Sequence, residues 1–402
     1  MSLPTALLLS RYRAFAVEEC LPLRPLTLLY GRNNSGKSAI ARALGMVGAS
    51  VAEGAPGALL NPPGRSPTVD LSELAWQGEA GDYSIMLGLR WSEGDVREAR
   101  FTLDRGPDRS PHVKELEVLG QGGTLLWSGI APPDRPMQPL AGQQGGTLRW
   151  EGLVPQQHES PAVCDLARRM VALRDKVRWL DGIRARPPSG HVKRGAVSPF
   201  RGDGAHVYSR LVEDPGLVVD VNRFYAALDP PRELQVQEEL DAGYRIRLNP
   251  KNASSFRIDL ADTGEGMVQV LPVLVEAALA GRGGADAVLA VEEPESHLHP
   301  DAQAALARFL CDVVKAATPP CVVLETHSRV FLLAVQLEIA AGRLSPDRVG
   351  LAWIDQDAQG RSHITPVELT RSGHPSAGWP AVALAEDLRL AGELAALSLR
   401  GG

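Results

Sequence analysis

Short apolar runs alternate with helical patterns near both ends of the chain. Near the start, Leu26–Tyr30 is an apolar run that ends at a glycine and precedes a helical pattern over Ala39–Val47. Later, the apolar runs Val288–Val291 and Cys321–Leu324 flank a helical pattern over Asp301–Ala316. Strands that alternate with helices are typical of a parallel sheet. The two ends are therefore predicted to share one α/β core.

The middle of the chain has a different pattern. Short runs separated by Gly, Pro or Asp predict antiparallel strands, and they are Tyr83–Trp91, Arg97–Leu103, Val113–Leu119 and Thr124–Trp127. Beyond them, helices are predicted over Leu166–Leu180, Leu217–Leu228 and Val268–Leu279, and short strands over 234–236 and 244–248. We predict a split α/β core (1–60 and 255–402), an antiparallel β lobe (61–160) and an inserted helical and β arm with a basic segment (161–254).

Composition narrows the class of protein. The chain has 402 residues, of which 44% are hydrophobic, so it is globular rather than disordered. No apolar run approaches the ~18 residues of a membrane span, and the start lacks an export pattern. The four cysteines are scattered, as expected of free thiols in a reducing compartment. We expect a cytoplasmic protein with no membrane contact.

Charge is unevenly distributed along the chain. The formal net charge is −6, which argues against a surface adapted throughout to nucleic acid. Residues 168–210 contain 11 Lys/Arg against 3 Asp/Glu, a local charge of +8. This segment could face the phosphates of a nucleic acid, or it could pair with acidic neighbours.

A glycine-rich loop between the first apolar run and its helix carries the strongest chemical signal. It fits the pattern G-x-x-x-x-G-K-[ST], in which main-chain amides and a helix N-terminus surround phosphate oxygens. Lys37 would reach the β- and γ-phosphates, and the Ser38 hydroxyl would bind Mg²⁺. The predicted ligand is ATP with Mg²⁺, contacted by Gly31, Arg32, Asn33, Asn34, Ser35, Gly36, Lys37, Ser38 and Ala39.

Polar side chains follow two later apolar runs. Glu292 and Glu293 come directly after Val288–Val291, at the edge where open α/β sheets bind ligands. Glu292 could hold Mg²⁺ through water, and Glu293 could orient or deprotonate the attacking water. His327 follows the next apolar run, where its side chain could sense the γ-phosphate. Alternatively, Glu292 and Glu293 form an exposed acidic turn, and His327 is a surface or capping histidine, with no role in chemistry.

A second glycine-rich loop precedes the helix predicted at 268–279. Thr263, Gly264 and Gly266 could form another anion-binding nest, or this could be an ordinary helix entry. His297 and His299 are two residues apart with one acid nearby, which is not a convincing metal ligand set.

Together these motifs resemble the ATP-binding-cassette type of P-loop ATPase, in the branch of RecF-like, structural-maintenance-of-chromosomes and OLD-type proteins. The resemblance rests on GRNNSGKS (31–38), VEEPESHLHP (291–300) and ETHS (325–328). Within that branch the chain resembles stand-alone bacterial AAA-like ATPases with a C-terminal domain of unknown function. WLDGIR (179–184), DTGEGMVQVLPVL (262–274) and GWP (378–380) support this closer resemblance.

The resemblance implies particular roles and a particular assembly. Lys37 and Ser38 would contact phosphate and Mg²⁺, Glu292 would join the metal shell, Glu293 would be the catalytic carboxylate and His327 the γ-phosphate switch. Residues 263–269 resemble the signature loop, which implies two ATP molecules held in a head-to-tail homodimer or higher oligomer. Their sequence is TGEGMVQ rather than LSGGQ, so the contact made in trans is open.

The sequence does not determine which residues make two further contacts that the resemblance implies. The glutamine that follows the β lobe could be Gln121, Gln143, Gln144, Gln156 or Gln157. Arg11 and Arg13 are either contacts of adenine or ribose, or exposed surface residues.

The expected function is an ATP-driven switch for an effector such as a nuclease or toxin, as in bacterial anti-phage systems. With 75 residues after His327, no Toprim nuclease domain is expected. The alternatives are a DNA-binding ATPase of repair or chromosome maintenance that uses residues 168–210, and an inactive scaffold with ATP as a structural ligand.

Overall fold

The computed structural model describes residues 3–376 and 379, apart from residues 64, 67, 79–80, 82, 107, 132–134, 144, 157, 189–191, 193–197, 240–242 and 253–255. The strands of the first half are β1 (Ala6–Ser10), β2 (Glu19–Pro22), β3 (Leu26–Gly31), β4 (Ile85–Arg90), β5 (Glu98–Arg105), β6 (Pro111–Leu119), β7 (Leu125–Ile130), β8 (Gln138–Pro139), β9 (Trp150–Glu151), β10 (Val154–Pro155) and β11 (Val177–Leu180). Those of the second half are β12 (Arg232–Glu239), β13 (Gly243–Pro250), β14 (Val288–Glu292), β15 (Cys321–Glu325), β16 (Val349–Gln356) and β17 (Ser362–Val367).

The α-helices of the described residues are α1 (Lys37–Ser50), α2 (Leu71–Leu74), α3 (Pro161–Val171), α4 (Val207–Glu213), α5 (Pro215–Tyr225), α6 (Glu265–Gly283), α7 (Pro300–Val313) and α8 (Arg329–Ala340). No helix in this part of the chain is both long and apolar enough to cross a membrane.

A six-stranded, mostly parallel sheet forms the core. Its order is β11-β14-β15-β3-β16-β17, and only β17 is antiparallel to its neighbour. Every residue of β14 and β15 is buried, as expected when both faces of a parallel sheet are covered. Because β3, β14 and β15 are parallel, their carboxyl ends meet at one edge, where Glu292 is in register with Glu325. The predicted α/β class is confirmed.

A seven-stranded antiparallel sheet forms the β lobe, in the order β2-β1-β4-β5-β6-β7-β8. Leu29 of β3 and Ile40 of α1 share one apolar core with Phe101 and Trp127 of the lobe. Leu28, on the opposite face of β3, belongs to a second core with α4–α8. Helix α1 therefore lies between the lobe and the parallel sheet, which places the loop before α1 beside the lobe.

The structure corrects one predicted helix and shows three strands that the sequence pattern did not predict. The helix predicted over Leu166–Leu180 is wrong beyond Val171, because Val177–Leu180 forms β11 and pairs in parallel with β14. Pairing with a buried strand overrides a local helical pattern. The predicted domain limits stay a prediction. However, β1 and β2 pair with the lobe although they lie in 1–60, and β11 pairs with the core although it lies in 161–254.

Candidate functional site

The loop between β3 and α1 has glycine at two positions where the backbone conformation is one that other residues rarely adopt. Gly31 has φ +156°, and a Cβ there would lie 2.1 Å from the carbonyl oxygen of Ile354. Gly36 has φ +99°, and a Cβ there would lie 3.1 Å from the Phe15 ring. Asn34, with φ 64°, adds a third left-handed residue. This backbone turns tightly into the N-terminus of α1, which is a ready site for an anion.

Lys37 folds back over this loop. Its Nζ donates to the carbonyl oxygens of Gly31 at 3.0 Å and Arg32 at 2.7 Å, and the residue is 2% exposed. Burial lowers the pKa of Lys37, while the nearby carboxylates of Glu325 and Glu293 act in the opposite direction. The ammonium group is therefore held within the loop and close to the acidic edge of the sheet, and its contact with the β- and γ-phosphates stays a prediction.

A cavity of about 620 Å³ opens beside the loop. Its size falls in the range of small-molecule sites. It is lined by residues 34–39 of the loop and α1, by Arg42, Glu325, Gln356 and Gln359 of the core, and by Arg13, Ala14, Glu73, Ala75, Trp76, Gln77 and Gly78 from the lobe side. The cavity therefore joins the phosphate loop to a polar wall that the lobe supplies.

Glu325 is a site residue that sequence reasoning missed. The Ser38 hydroxyl donates to Glu325 Oε1 at 2.8 Å, and Oε2 is buried without a hydrogen-bond partner among the described residues. Burial raises the pKa of Glu325 to about 7, with the charge of Glu292 adding and the Ser38 hydrogen bond opposing. The signal was available, because Glu325 ends an apolar run just as Glu292 does.

The residues around Ser38 fit a magnesium ion. Mg²⁺ prefers hard oxygen ligands and usually keeps several waters. The Ser38 hydroxyl and the free oxygen of Glu325 are such donors, and the cavity leaves room for phosphate oxygens beside them.

Glu292 makes other contacts than the predicted one. Its carboxylate accepts from Arg42 Nε at 2.8 Å and Nη2 at 2.9 Å, and from Trp179 Nε1 at 3.0 Å. Burial raises the pKa of Glu292, and the Arg42 hydrogen bonds act against that rise. Both oxygens are therefore occupied by protein donors, so its role in the metal shell stays a prediction.

Glu293 and His327 lie near Lys37 and have exposed side chains. The charges of Lys37 and Glu293 both act on His327, whose pKa is lowered mainly by burial. Glu293 Oε2 accepts from the Ser296 hydroxyl at 2.8 Å, and the His327 main-chain amide donates to Glu295 Oε1 at 2.7 Å. The structure therefore brings together Lys37, Glu293 and His327, while their individual roles stay predictions.

The second glycine-rich loop lies apart from this cavity. The Thr263 hydroxyl donates to the Leu260 carbonyl oxygen at 2.7 Å, and Thr263 and Gly264 line another cavity of about 410 Å³. A Cβ on Gly266 would lie 2.3 Å from the His297 carbonyl oxygen, whereas one on Gly264 meets no atom within 4 Å. Within one chain, residues 263–266 therefore do not contribute to the phosphate loop.

The glutamine contact that the sequence left open stays open, although the lining of the cavity separates some of the candidates. Gln121, Gln143 and Gln156 do not line the 620 Å³ cavity, whereas Gln77 does, on the lobe side. Gln144 and Gln157 lie outside the described residues. No local pattern marks Gln77, because its position depends on how the lobe packs. Of the two candidate arginines, Arg13 lines the cavity.

Most basic side chains described in residues 168–210 pair with acidic side chains of this chain. The salt bridges are Arg169–Asp165, Arg174–Glu151, Lys176–Asp286, Arg178–Glu276, Arg186–Glu265 and Arg201–Asp203. Lys193 and Arg194 lie outside the described residues. The pairing reduces the positive charge that this segment offers to phosphate.

Comparison with solved structures matches this fold to SMC heads. The chain resembles the SmcHead bound to the C-winged helix domain of ScpA, with a TM-score of 0.54 and 13% identity over 92% of this chain and 98% of that one. It resembles an Smc head domain bound to the C-terminal domain of ScpA from Pyrococcus furiosus, with a TM-score of 0.51 and 10% identity over 92% and 97%. Such low identities establish the fold alone. The chain therefore has the fold of SMC heads, and its loop at residues 31–38 has the sequence pattern of a P-loop.

The match to a family model is more particular. Residues 165–334 match the family described as AAA domain, putative AbiEii toxin, Type IV TA system. No curated protein sequence is significantly similar to the chain. The C-terminal domain of unknown function that the resemblance implied stays a prediction.

Proposed function

We propose that this chain is a cytoplasmic ATPase head that closes on ATP as a head-to-tail dimer and switches an effector. One observation carries the hydrolysis step: the buried Lys37 and the exposed Glu293 lie close enough to His327, at one edge of the sheet, for both of their charges to act on it. These are a phosphate-binding cation, a base and a polar sensor, which hydrolysis of a triphosphate requires.

The residues have distinct tasks in the proposed reaction. Lys37 and the loop amides neutralise the charge that builds up on the phosphates. Ser38 and Glu325 would hold Mg²⁺, which when bound polarises the phosphoryl oxygens. Glu293 accepts the proton of the attacking water, and His327 donates a hydrogen bond to the γ-phosphate. The salt bridge from Arg42 holds the side chain of Glu292 at the end of β14.

The separation of the two glycine-rich loops supports the dimer. Because Thr263 and Gly264 line a different cavity, we expect them to contact a nucleotide bound to a second copy of the chain. Such a contact would make ATP bind the closed pair more tightly than the open head, which is the condition for a ligand to shift a conformational equilibrium.

Turnover by purified protein tests the enzyme function. Wild type should release phosphate from ATP with Mg²⁺, Glu293→Gln should bind ATP without turnover, and Lys37→Ala should lose binding. Release of phosphate should fall by about 10²–10⁴-fold in Glu293→Gln, the usual contribution of a general base. A wild type that binds ATP but never hydrolyses it would favour the scaffold alternative.

The comparisons support an effector partner. The matching family is described as a putative toxin of a type IV toxin–antitoxin system, and the similar SMC heads were solved bound to a ScpA domain. We propose that this head likewise acts with a partner, a nuclease or toxin of an anti-phage system. Co-purification of one stoichiometric protein with Glu293→Gln in ATP, and its loss with Lys37→Ala, would support that role.

A further inference from the structure

Residues 179–186, here called the strap, leave β11 and cross the end of β14. Their sequence, WLDGIRAR, is one of the motifs that the proposed catalysis does not use. Trp179 donates to Glu292 as described above, Asp181 pairs with Arg65 at 2.6 Å, and Arg186 pairs with Glu265 at the start of α6. The strap therefore contacts both the acidic strand and the helix that follows the second glycine-rich loop.

Arg184 lies at the centre of the strap. Its side chain is buried, with the residue 3% exposed, and the guanidinium donates to the main-chain oxygens of Glu292, Glu293 and Gln269. Burial lowers the pKa of Arg184 to about 10, and its Nε has no hydrogen-bond partner among the described residues. A guanidinium bound mainly by carbonyl oxygens is costly to bury. Packing alone would be served better by an apolar side chain.

Gln269 joins the strap to α6. Its Oε1 accepts from the Arg184 main-chain amide at 3.0 Å, and its Nε2 donates to the Arg184 carbonyl oxygen at 3.0 Å. The same Nε2 donates to Glu265 Oε1 at 2.9 Å. This reciprocal pair fixes the main chain of Arg184 against the first turns of α6.

The backbone that Arg184 holds is unusual. Glu293 has φ 42°, a left-handed conformation that a non-glycine residue rarely adopts. Such a residue persists only where its surroundings determine it. Two sets of hydrogen bonds constrain this residue. The Arg184 guanidinium donates to the carbonyl oxygens of Glu292 and Glu293, and the Glu293 amide donates to the Glu325 carbonyl oxygen at 2.9 Å.

We propose that Arg184 is a positioning residue for Glu293, and that with Gln269 it joins the end of β14 to the start of α6. The proposal rests on the proposed function, in which Glu293 activates water. Loss of the guanidinium releases the carbonyl oxygens, so the carboxylate samples directions that do not face the attacking water. Nucleotide binding depends on the loop at 31–38 and is retained.

Kinetics on four variants test the proposal: Arg184→Met, Arg184→Lys, Gln269→Leu and the exposed control Arg201→Gln. Arg184→Met should bind a fluorescent non-hydrolysable ATP analogue like wild type but lose about 10- to 100-fold in kcat, the usual cost of misplacing a reacting group. Arg184→Lys should recover part of the loss, and Arg201→Gln should match wild type. Equal kcat in wild type and a folded Arg184→Met would overturn the proposal and leave the proposed function standing.

A double variant tests the link to α6. Arg184→Met with Gln269→Leu should have a kcat within about twofold of Arg184→Met alone, because the two residues act as one unit. Multiplied losses would contradict the link. If Arg184→Met does not fold, Arg184→Lys and Gln269→Leu replace it in every comparison.

Amide hydrogen exchange gives a readout that does not need turnover. Arg184→Met should exchange faster in peptides covering residues 290–298 and 263–272, and at the wild-type rate in β12 and β13. If wild type never hydrolyses ATP, the proposed function fails, but this experiment still tests whether Arg184 holds the end of β14 and the start of α6 in place. Unchanged exchange in both peptides would then overturn the proposal.

Discussion

At the scale of single residues, burial shifts the pKa values of two site residues in opposite directions: it lowers that of Lys37 and raises that of Glu325. Burial favours the neutral amine of Lys37 and the protonated carboxyl of Glu325. The protein's own contacts therefore do not fully offset the cost of burying either charged form. Phosphate would compensate Lys37, and a divalent cation would compensate Glu325.

Gly31→Ala is expected to abolish ATP binding with little effect elsewhere. The added methyl group would meet the Ile354 carbonyl oxygen, which belongs to β16 and cannot move independently. Isothermal titration with ATP and Mg²⁺ measures the loss. Gly54→Ala is the matched control, since it also has a positive φ, +69°, but a Cβ there meets no atom within 4 Å. Wild-type affinity in Gly31→Ala would contradict this account of the loop.

Glu338→Gln should destabilise the fold by about 1–2 kcal/mol at pH 7 and by nothing near pH 2. Hydrogen bonds from Arg343, followed by Lys315, lower the pKa of Glu338 from 4.5 to about 2 in the folded protein. A lowered carboxyl pKa stabilises above the unfolded value, and the gain disappears as pH falls from 4.5 to 2.

Urea unfolding of Glu338→Gln and wild type across that pH window checks the sign. Asp286→Asn removes an ordinary surface pair with Lys176 and serves as the control. A difference between Glu338→Gln and wild type that does not change with pH would show that hydrogen bonding, not ionisation, is responsible.

At the scale of elements, one buried carboxylate joins three pieces of secondary structure. Glu276 of α6 accepts from Arg178 of β11 at 2.8 Å and bonds His206, beside α4, at 2.7 Å. Burial alone would raise the pKa of Glu276, but the His206 hydrogen bond and the Arg178 charge together lower it. The edge strand of the parallel sheet is therefore fixed by polar contacts as well as by pairing.

Glu276→Ala should lower the free energy of unfolding by about 3–5 kcal/mol, because it leaves Arg178 without its carboxylate partner. Glu276→Gln keeps a side chain of the same shape and should cost less. Chemical denaturation followed by circular dichroism measures both. A loss below about 1 kcal/mol in Glu276→Ala would indicate that water replaces the carboxylate.

The same elements show how far the sequence predicted this protein. Strand β3, its loop and α1 are contiguous, so the pattern alone predicted their order. The edge strand β11 was taken for helix because its pairing with β14 involves residues more than 100 positions apart. Gln77 reaches the cavity through packing of the lobe, which no local pattern marks, whereas Glu325 could have been found as the residue that ends an apolar run. Local patterns predict local structure, and they leave contacts between distant segments undetermined.

At the scale of the whole molecule, the proposed dimer predicts complementation between two inactive variants. Lys37→Ala removes phosphate binding, and Gly264→Asp puts a negative charge where the partner's nucleotide would lie. Gly264 tolerates a side chain sterically, so its variant should fold. In a mixed dimer, one site combines the intact phosphate loop of one chain with the intact second loop of the other.

Mixing the two proteins should therefore restore part of the ATP turnover that each lacks alone. Phosphate release as a function of mixing ratio, with sedimentation to confirm the pair, measures the effect. Gly264→Asp that hydrolyses ATP like wild type, or a mixture that stays inactive, would argue for sites complete within one chain.

The position of β3 has a consequence for the synthesis of the protein on the ribosome. Its two neighbours, β15 and β16, are formed by residues 321–325 and 349–356. The strand that leads into the phosphate loop therefore emerges from the exit tunnel long before either flanking strand exists. Until translation passes residue 356, a nascent chain lacks the support on which its nucleotide cradle rests. The loop before α1 therefore acquires its flanking strands only late in translation, and a chain that ends before residue 321 lacks both of them.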